Sequence, residues 1–139
     1  MKWWRNSSRH PDPQAKAAQQ RRHNETIHAL AAACELRDPA LMARLLAPGA
    51  ELVIDGGGVV WTPAPQTKNA RGTSNLIVGM LARYSLLTLE EHPVNGAPAI
   101  LLRDDGGLVG VVCVGVGREM IAHLWVVLNP EKLVHLDVD

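Results

Sequence analysis

The sequence predicts an α+β domain in which N-terminal helices pack on an antiparallel sheet. Three observations predict it. Two Asp-Pro helix starts precede apolar stripes of helical period, four β-like runs follow Tyr84, and turn dipeptides punctuate those runs.

The elements follow in order. Asp12-Pro13 is a helix start, because the carboxylate can cap free N–H groups and proline loses nothing in the first turn. Ile27, Leu30, Ala31 and Cys34 then fall at i, i+3, i+4 and i+7, one apolar stripe on a helix ending near Arg37. Asp38-Pro39 repeats the start signal, and Leu41, Met42, Leu45 and Leu46 supply a short helix stopped by Ala47-Pro48-Gly49. Glu51 to Asp55, three glycines, and Val59 to Trp61 predict a hairpin. A third helix begins at Thr73 or Ser74, with Leu76, Ile77, Met80, Leu81 and Tyr84 on one face.

The four runs are Leu86 to Val94, Ala97 to Arg103, Leu108 to Val116 and Met120 to Leu128. Asn95-Gly96, Asp105-Gly106 and Gly117-Arg118-Glu119 separate them, so the strands pair antiparallel in sequence order. The last two runs are apolar at nearly every position, which predicts cover on both faces. Helices supply one cover, and a second subunit packed sheet to sheet supplies the other, giving a homodimer.

At 139 residues the chain fits one domain with a real core. Residues 1–23 form a basic arm, helical or partly disordered, ahead of a domain over 24–139. The first 22 residues carry six basic side chains against Asp12, a net +5, whereas the remainder carries 8 basic and 13 acidic side chains, a net −5. Such an arm suits nucleic acid, an anionic membrane through Trp3 and Trp4, or an acidic protein. Six cations spread this thinly form too diffuse a pattern to predict nucleic acid, and the expectation is a solvated leader resting on the acidic body. Cys34 and Cys113 lie far apart in apolar runs, as small buried hydrophobes in a reducing compartment. No run is long enough to span a membrane and Met1 to His10 lacks the apolar centre of a signal peptide, so a cytoplasmic protein without membrane insertion is expected.

With Asp55-Gly56-Gly57-Gly58 at the first hairpin and Asn129-Pro130-Glu131-Lys132-Leu133 after the last strand, this order of elements resembles the SnoaL-like family of the nuclear-transport-factor-2-like superfamily, over about residues 24–136. Together with Val94-Asn95-Gly96-Ala97-Pro98-Ala99, the pair looks like the SnoaL-like extension at the C-terminus of some extracytoplasmic-function sigma factors. The resemblance implies a cystatin-like roll, its curved, cone-like sheet enclosing an apolar pocket, and, from the sigma factors, regulation of a transcription module. Only about 25 residues precede the matched region, and no helix-turn-helix fits, so the role expected from that side is action on a separate transcription partner.

The same fold carries ketosteroid isomerases, limonene-epoxide hydrolases and polyketide cyclases. Asp55 falls near the position of the isomerases' general base, where an apolar pocket mouth raises a carboxylate's pKa towards a useful range. Its other reading is turn chemistry, bonding to backbone two residues on. The oxyanion donors that resemblance calls for are missing: the first helix reads Leu30-Ala31-Ala32-Ala33, and Leu108 to Val116 holds no Asp, Tyr or His. Glu51, Arg71 and Arg83 are nominees for an epoxide-hydrolase set with Asp55, without a spacing that ties them together.

Trp61, Tyr84, His123 and Trp125 are the candidate ligand-binding residues, with His123 expected to share a face with Ile121 and Trp125. Lys132 either meets an acid such as Asp55 or lies on a surface turn. The six histidines are dispersed, so no metal is expected. Gly56-Gly57-Gly58 leads into a strand and lacks the Lys and Ser or Thr of a phosphate loop, and Gly115-Val116-Gly117 is no dinucleotide fingerprint, so no cofactor is expected. The leading expectation is a small-ligand-binding or regulatory domain without a complete known active site. The alternatives are a cyclase- or isomerase-like enzyme with Asp55 as base, and a module acting on a transcription partner.

Overall fold

The computed structural model describes residues 12–57, 66, 67 and 69–136. Helix α1 spans Pro13–Leu36 and α2 spans Pro39–Leu45. Pro13 sits in the first turn as expected, but Asp12 makes no side-chain capping bond. Asp38 does cap, its Oδ1 accepting the N–H groups of Ala40 and Leu41 at 3.1 Å each. α1 runs without a break through residue 23, the boundary expected between arm and domain. Helix α3 spans Ala70–Leu81, three residues earlier than its apolar stripe suggests, because Asn69 Oδ1 accepts the Gly72 N–H at 2.6 Å.

Among the described residues six strands form one sheet: β1 (Leu46–Asp55), β2 (Gln66–Thr67), β3 (Leu87–Val94), β4 (Ala97–Asp104), β5 (Gly107–Val116) and β6 (Ile121–Val127), in the order β2-β1-β6-β5-β4-β3. β3 to β6 form the expected antiparallel meander. Its first two turns place Asn95, Gly96, Asp105 and Gly106 at positive φ, the conformation that Asn-Gly and Asp-Gly turns supply.

Two expectations about the sheet need correction. β1 runs parallel to β6, so the sheet is mixed rather than wholly antiparallel. These neighbours are separated by most of the domain, and no hairpin turn sets their direction. β1 also begins at Leu46 rather than Glu51, taking in Ala47-Pro48-Gly49. Its pairing with β6 slips between Leu46 and Glu51, and such an irregular stretch tolerates Pro48, which has no N–H for a ladder. Antiparallel to β1 runs β2, while the Val59 to Trp61 half of the expected hairpin lies outside the described residues.

One face of the sheet meets the helices. Leu52, Ile54, Ile100, Leu102, Val112, Val114, Leu124 and Val126 pack against α1, α2 and α3 through Ile27, Leu30, Cys34, Met42, Ile77 and Met80. Packing is close at the sheet's centre: a Cβ on Gly110 would lie 2.7 Å from Leu128 Cδ2 and 3.1 Å from Leu102 Cδ1.

The other face carries a second cluster of Val94, Ala99, Leu101, Val111 and Leu133. Leu133 comes from a short helix, α4 (Pro130–Leu133), which the sequence predicts only as a strand stop and turn. Part of the cover demanded by the all-apolar β5 and β6 is thus supplied within the chain.

His23 on α1 is a titratable group in this packing. Its Nε2 is buried without a hydrogen-bond partner, and burial lowers its pKa, against a smaller raising effect from a hydrogen bond to the Val114 backbone. The native state therefore stays neutral where the unfolded chain takes up a proton. Stability should fall as pH drops below about 6.5 and level off beneath the native pKa. Urea midpoints measured between neutrality and mild acid check this, and His23→Leu should flatten that limb of the profile.

Candidate functional site

The two family-like motifs meet in space. Asp55 ends β1, and its Oδ1 accepts the Gly57 N–H at 3.0 Å, the turn chemistry expected of Asp before Gly. Its Oδ2 lies 2.5 Å from Lys132 Nζ, 77 residues away in the chain. The Asp55 carbonyl accepts the Leu128 N–H at 2.7 Å, which ties the strand end to the run entering α4. Asn129 then caps α4, its Oδ1 accepting the Glu131 N–H at 3.1 Å, with Pro130 in the first turn. Gly57, at φ 66°, lies so close to Asn129 that a Cβ there would sit 2.5 Å from its Cγ. Asp55, Gly57, Asn129 and Lys132 form one clasp that seats Leu133 on the sheet.

The clasp changes what Asp55 can do. The Lys132 hydrogen bond, aided by the Gly57 N–H, the Lys132 charge and Asn129, holds its carboxyl below the ordinary range despite some desolvation in the opposite sense. That direction is the reverse of the raised pKa expected at an apolar pocket mouth. A carboxylate so engaged is a weak proton acceptor at neutral pH. With the pKa depressed, its contribution to stability is present above about pH 4 and is lost as pH falls through the native value. Lys132→Ala should bring the Asp55 titration, followed by carboxyl NMR, back towards an ordinary aspartate. The stability loss should be only about 0.2–1 kcal/mol, since the lysine is largely exposed.

The other candidates are dispersed. Tyr84, just beyond α3, lines a groove of about 490 Å³ with Leu108, Val109, Leu128, Pro130, Leu133 and Val134. Its phenol is shifted up, mainly by burial and then by the Asp104 charge. His123 and Trp125 align with Glu51 and Val53 of β1, on the face opposite the helices. Their rings stack with centroids 5.7 Å apart and planes 16° from parallel, and His123 Nδ1 lies 3.3 Å from Glu51 Oε1.

Ile121 does not share that face. It is fully buried in the helix-side core, because the β5–β6 register slips between Gly115 and Val116 and turns it over. Trp61 lies outside the described residues. Among the described residues the cation on Asp55 is Lys132, not Arg71 or Arg83, and no group of three His, Cys, Asp or Glu stands ready for a metal ion. Asn129, the joint of the clasp, escaped notice as a functional residue, although Asn-Pro is itself a helix-start signal.

No protein-family model and no curated relative matches the chain. Solved structures do. The extracytoplasmic function sigma factor SigJ of Mycobacterium tuberculosis superposes with a TM-score of 0.63 at 23% identity, covering 86% of this chain and 46% of the sigma factor, so this chain spans about half its length. An NTF2-like protein of unknown function from Mesorhizobium loti gives 0.56 at 18% identity over 86% and 97% of the two chains. An LEH-like epoxide hydrolase of M. tuberculosis gives 0.52 at 12% identity over 84% and 90%. The chain has the NTF2-like fold, an α+β architecture of helices on a mixed sheet. No helix among the described residues is long and apolar enough to cross a membrane.

Proposed function

We propose that the chain is a binding module of regulatory type, not a proton-transfer enzyme, and that it takes a small apolar molecule in the groove beside α4. The observation that carries this reading is the engagement of Asp55 by Lys132, Gly57 and Asn129, which leaves the best-placed acid unsuited to act as base. The groove supports the rest: its walls are almost wholly apolar, with the Tyr84 hydroxyl as one polar handle, and about 490 Å³ suits a small ligand. Titration with 8-anilinonaphthalene-1-sulfonate should give a saturable fluorescence rise. Val109→Asp, which sets a charge in the wall, should weaken it by about tenfold. A response that does not saturate, or that Val109→Asp leaves unchanged, would refute the reading. The cyclase- or isomerase-like alternative, with Asp55 as base, needs a free carboxylate, and the clasp weighs against it.

A second reading, action on a separate transcription partner, is favoured by the likeness to SigJ and by the motif pair. Here the partner would be a sigma factor or polymerase subunit recovered with the full chain, and Lys2, Arg5 and Arg9 changed to glutamate should release it. A homodimer through the sheet is the companion proposal, because Val53, Cys113, Trp125 and Val127 remain half-buried on the outer face. Light scattering over a concentration series tests it, a monodisperse monomer counting against it.

A further inference from the structure

The apolar surface at the groove beside α4 extends past its walls. Among the described residues three large hydrophobic side chains stay mostly exposed, and two of them, Val134 at 76% and Leu86 at 59%, stand at this end of the sheet. Val134 lines the groove, and Leu86 comes two residues after Tyr84, which lines it too. The rim is acidic. Asp104 Oδ1 accepts the Leu86 N–H at 3.1 Å and its charge reaches the Tyr84 phenol, Asp105 follows in the same turn, and Glu131 stands in the first turn of α4. Of the cations on these elements, Lys132 is engaged by Asp55 and Arg103 by Glu90, and Arg83 stands beside Tyr84. An apolar trough edged by carboxylates suits large apolar side chains flanked by positive charge.

The chain contains such a segment. Lys2-Trp3-Trp4-Arg5 sets two indoles between two cations, in an arm whose net +5 opposes the −5 of the rest. The fold decides which copy's arm can arrive. Gln20, Asn24 and Ile27 of α1 lie beside the β3–β4 turn, around one depression with Gly96 and Pro98. From there α1 runs back to Pro13 with nearly every side chain exposed, so its first turns lead away from the body. The α4 groove is at the other end of the strands, on Leu108, Val109 and Leu128. From Pro98 to Asp104 β4 covers about 20 Å, and α1 from Gln20 back to Asp12 adds about 12 Å. Even fully extended, the stretch from Asp12 back to Trp4 spans at most about 29 Å, and it must first reverse direction. A second copy's groove is the one these indoles can enter.

We propose that Trp3 and Trp4 of a second copy of this chain dock in the α4 groove, with Lys2 and Arg5 on its acidic rim, so that the arm competes with the small apolar ligand. This rests on the reading of the groove as a binding site and adds what regulates it. Self-association closes the site, and dilution opens it.

Fluorine NMR of the full chain labelled with 5-fluorotryptophan tests it, the two arm lines being assigned through Trp3→Phe and Trp4→Phe. Labelled Val109→Asp, with an intact arm and a spoiled groove, is mixed with unlabelled Trp3→Ala/Trp4→Ala, which has an open groove and no indoles in its arm. The Trp3 and Trp4 lines should move saturably on mixing. Asp104→Asn/Asp105→Asn in the unlabelled chain should weaken this about fivefold, because the exchange keeps the acceptor for Leu86 and tolerates the positive φ at Asp105 while removing both charges. Lines that stay put on mixing, or move without saturation, would overturn the proposal. So would parent-chain lines displaced equally at every concentration, which would put the arm in its own groove. Dye binding is read separately. At high protein concentration Trp3→Ala/Trp4→Ala should bind 8-anilinonaphthalene-1-sulfonate about threefold more tightly than the parent, a gap that closes on dilution. Equal affinities throughout would overturn the competition. If no chain binds the dye saturably, the small-ligand reading fails, and the mixing titration still decides the arm.

Discussion

Leu102→Ala is expected to destabilise the domain by about 2–5 kcal/mol, read as a lower urea midpoint at unchanged slope. Leu102 is fully buried in the helix-side core, between Leu89 on β3 and Gly110 on β5. Because Gly110 has no side chain, Leu102 Cδ1 and Leu128 Cδ2 fill the space over its Cα. Removing Leu102's terminal atoms opens a void bordered by backbone, which relaxes little, so the loss should lie in the upper part of that range. Leu102→Met nearly conserves volume and should lose less than about 1.5 kcal/mol. Similar losses for the two variants would mean that shape at this site, rather than volume, governs packing.

What was legible in the sequence was what local chemistry dictates. Asp38-Pro39 announces α2 because the cap and the proline act within one turn, and Asn-Gly and Asp-Gly announce the meander because they supply positive φ at no great cost. Asn69 is a weaker signal, because Gly72, in the first turn of α3, disfavours helix by composition while serving as the cap's donor. Non-local pairings were illegible. Nothing in Leu46 to Asp55 says that its neighbour is a parallel strand some 70 residues on. The slip at Gly115 that turns Ile121 inward has no sequence signal either. At the site, both motifs and the option of an Asp55–Lys132 contact were visible, since Asp-Gly and Asn-Pro are strong local signals. The direction of the Asp55 pKa was not visible, because it depends on whether apolar walls or a lysine stand nearest the carboxylate.

Gly57→Ala should destabilise the clasp more than its exposed position suggests, by roughly 2–3 kcal/mol when the following losses combine. An L-residue at φ 66° carries a backbone penalty of about 1–2 kcal/mol. The new Cβ would also stand 2.5 to 2.7 Å from three atoms of the Asn129 side chain, which must rotate away. In doing so Asn129 gives up its bond to the Glu131 N–H, a cap worth about 0.5–2 kcal/mol. The consequence should extend beyond stability. α4 supplies Pro130 and Leu133 to the apolar groove, so a loosened N-terminus of this helix should weaken dye binding along with folding. Gly96→Ala is the matched control, because Gly96 shares the positive φ, at 79°, while a Cβ there meets nothing within 4 Å. If the two variants lost stability equally, the proximity of Gly57 to Asn129 would not be what holds the Asp55 turn against α4.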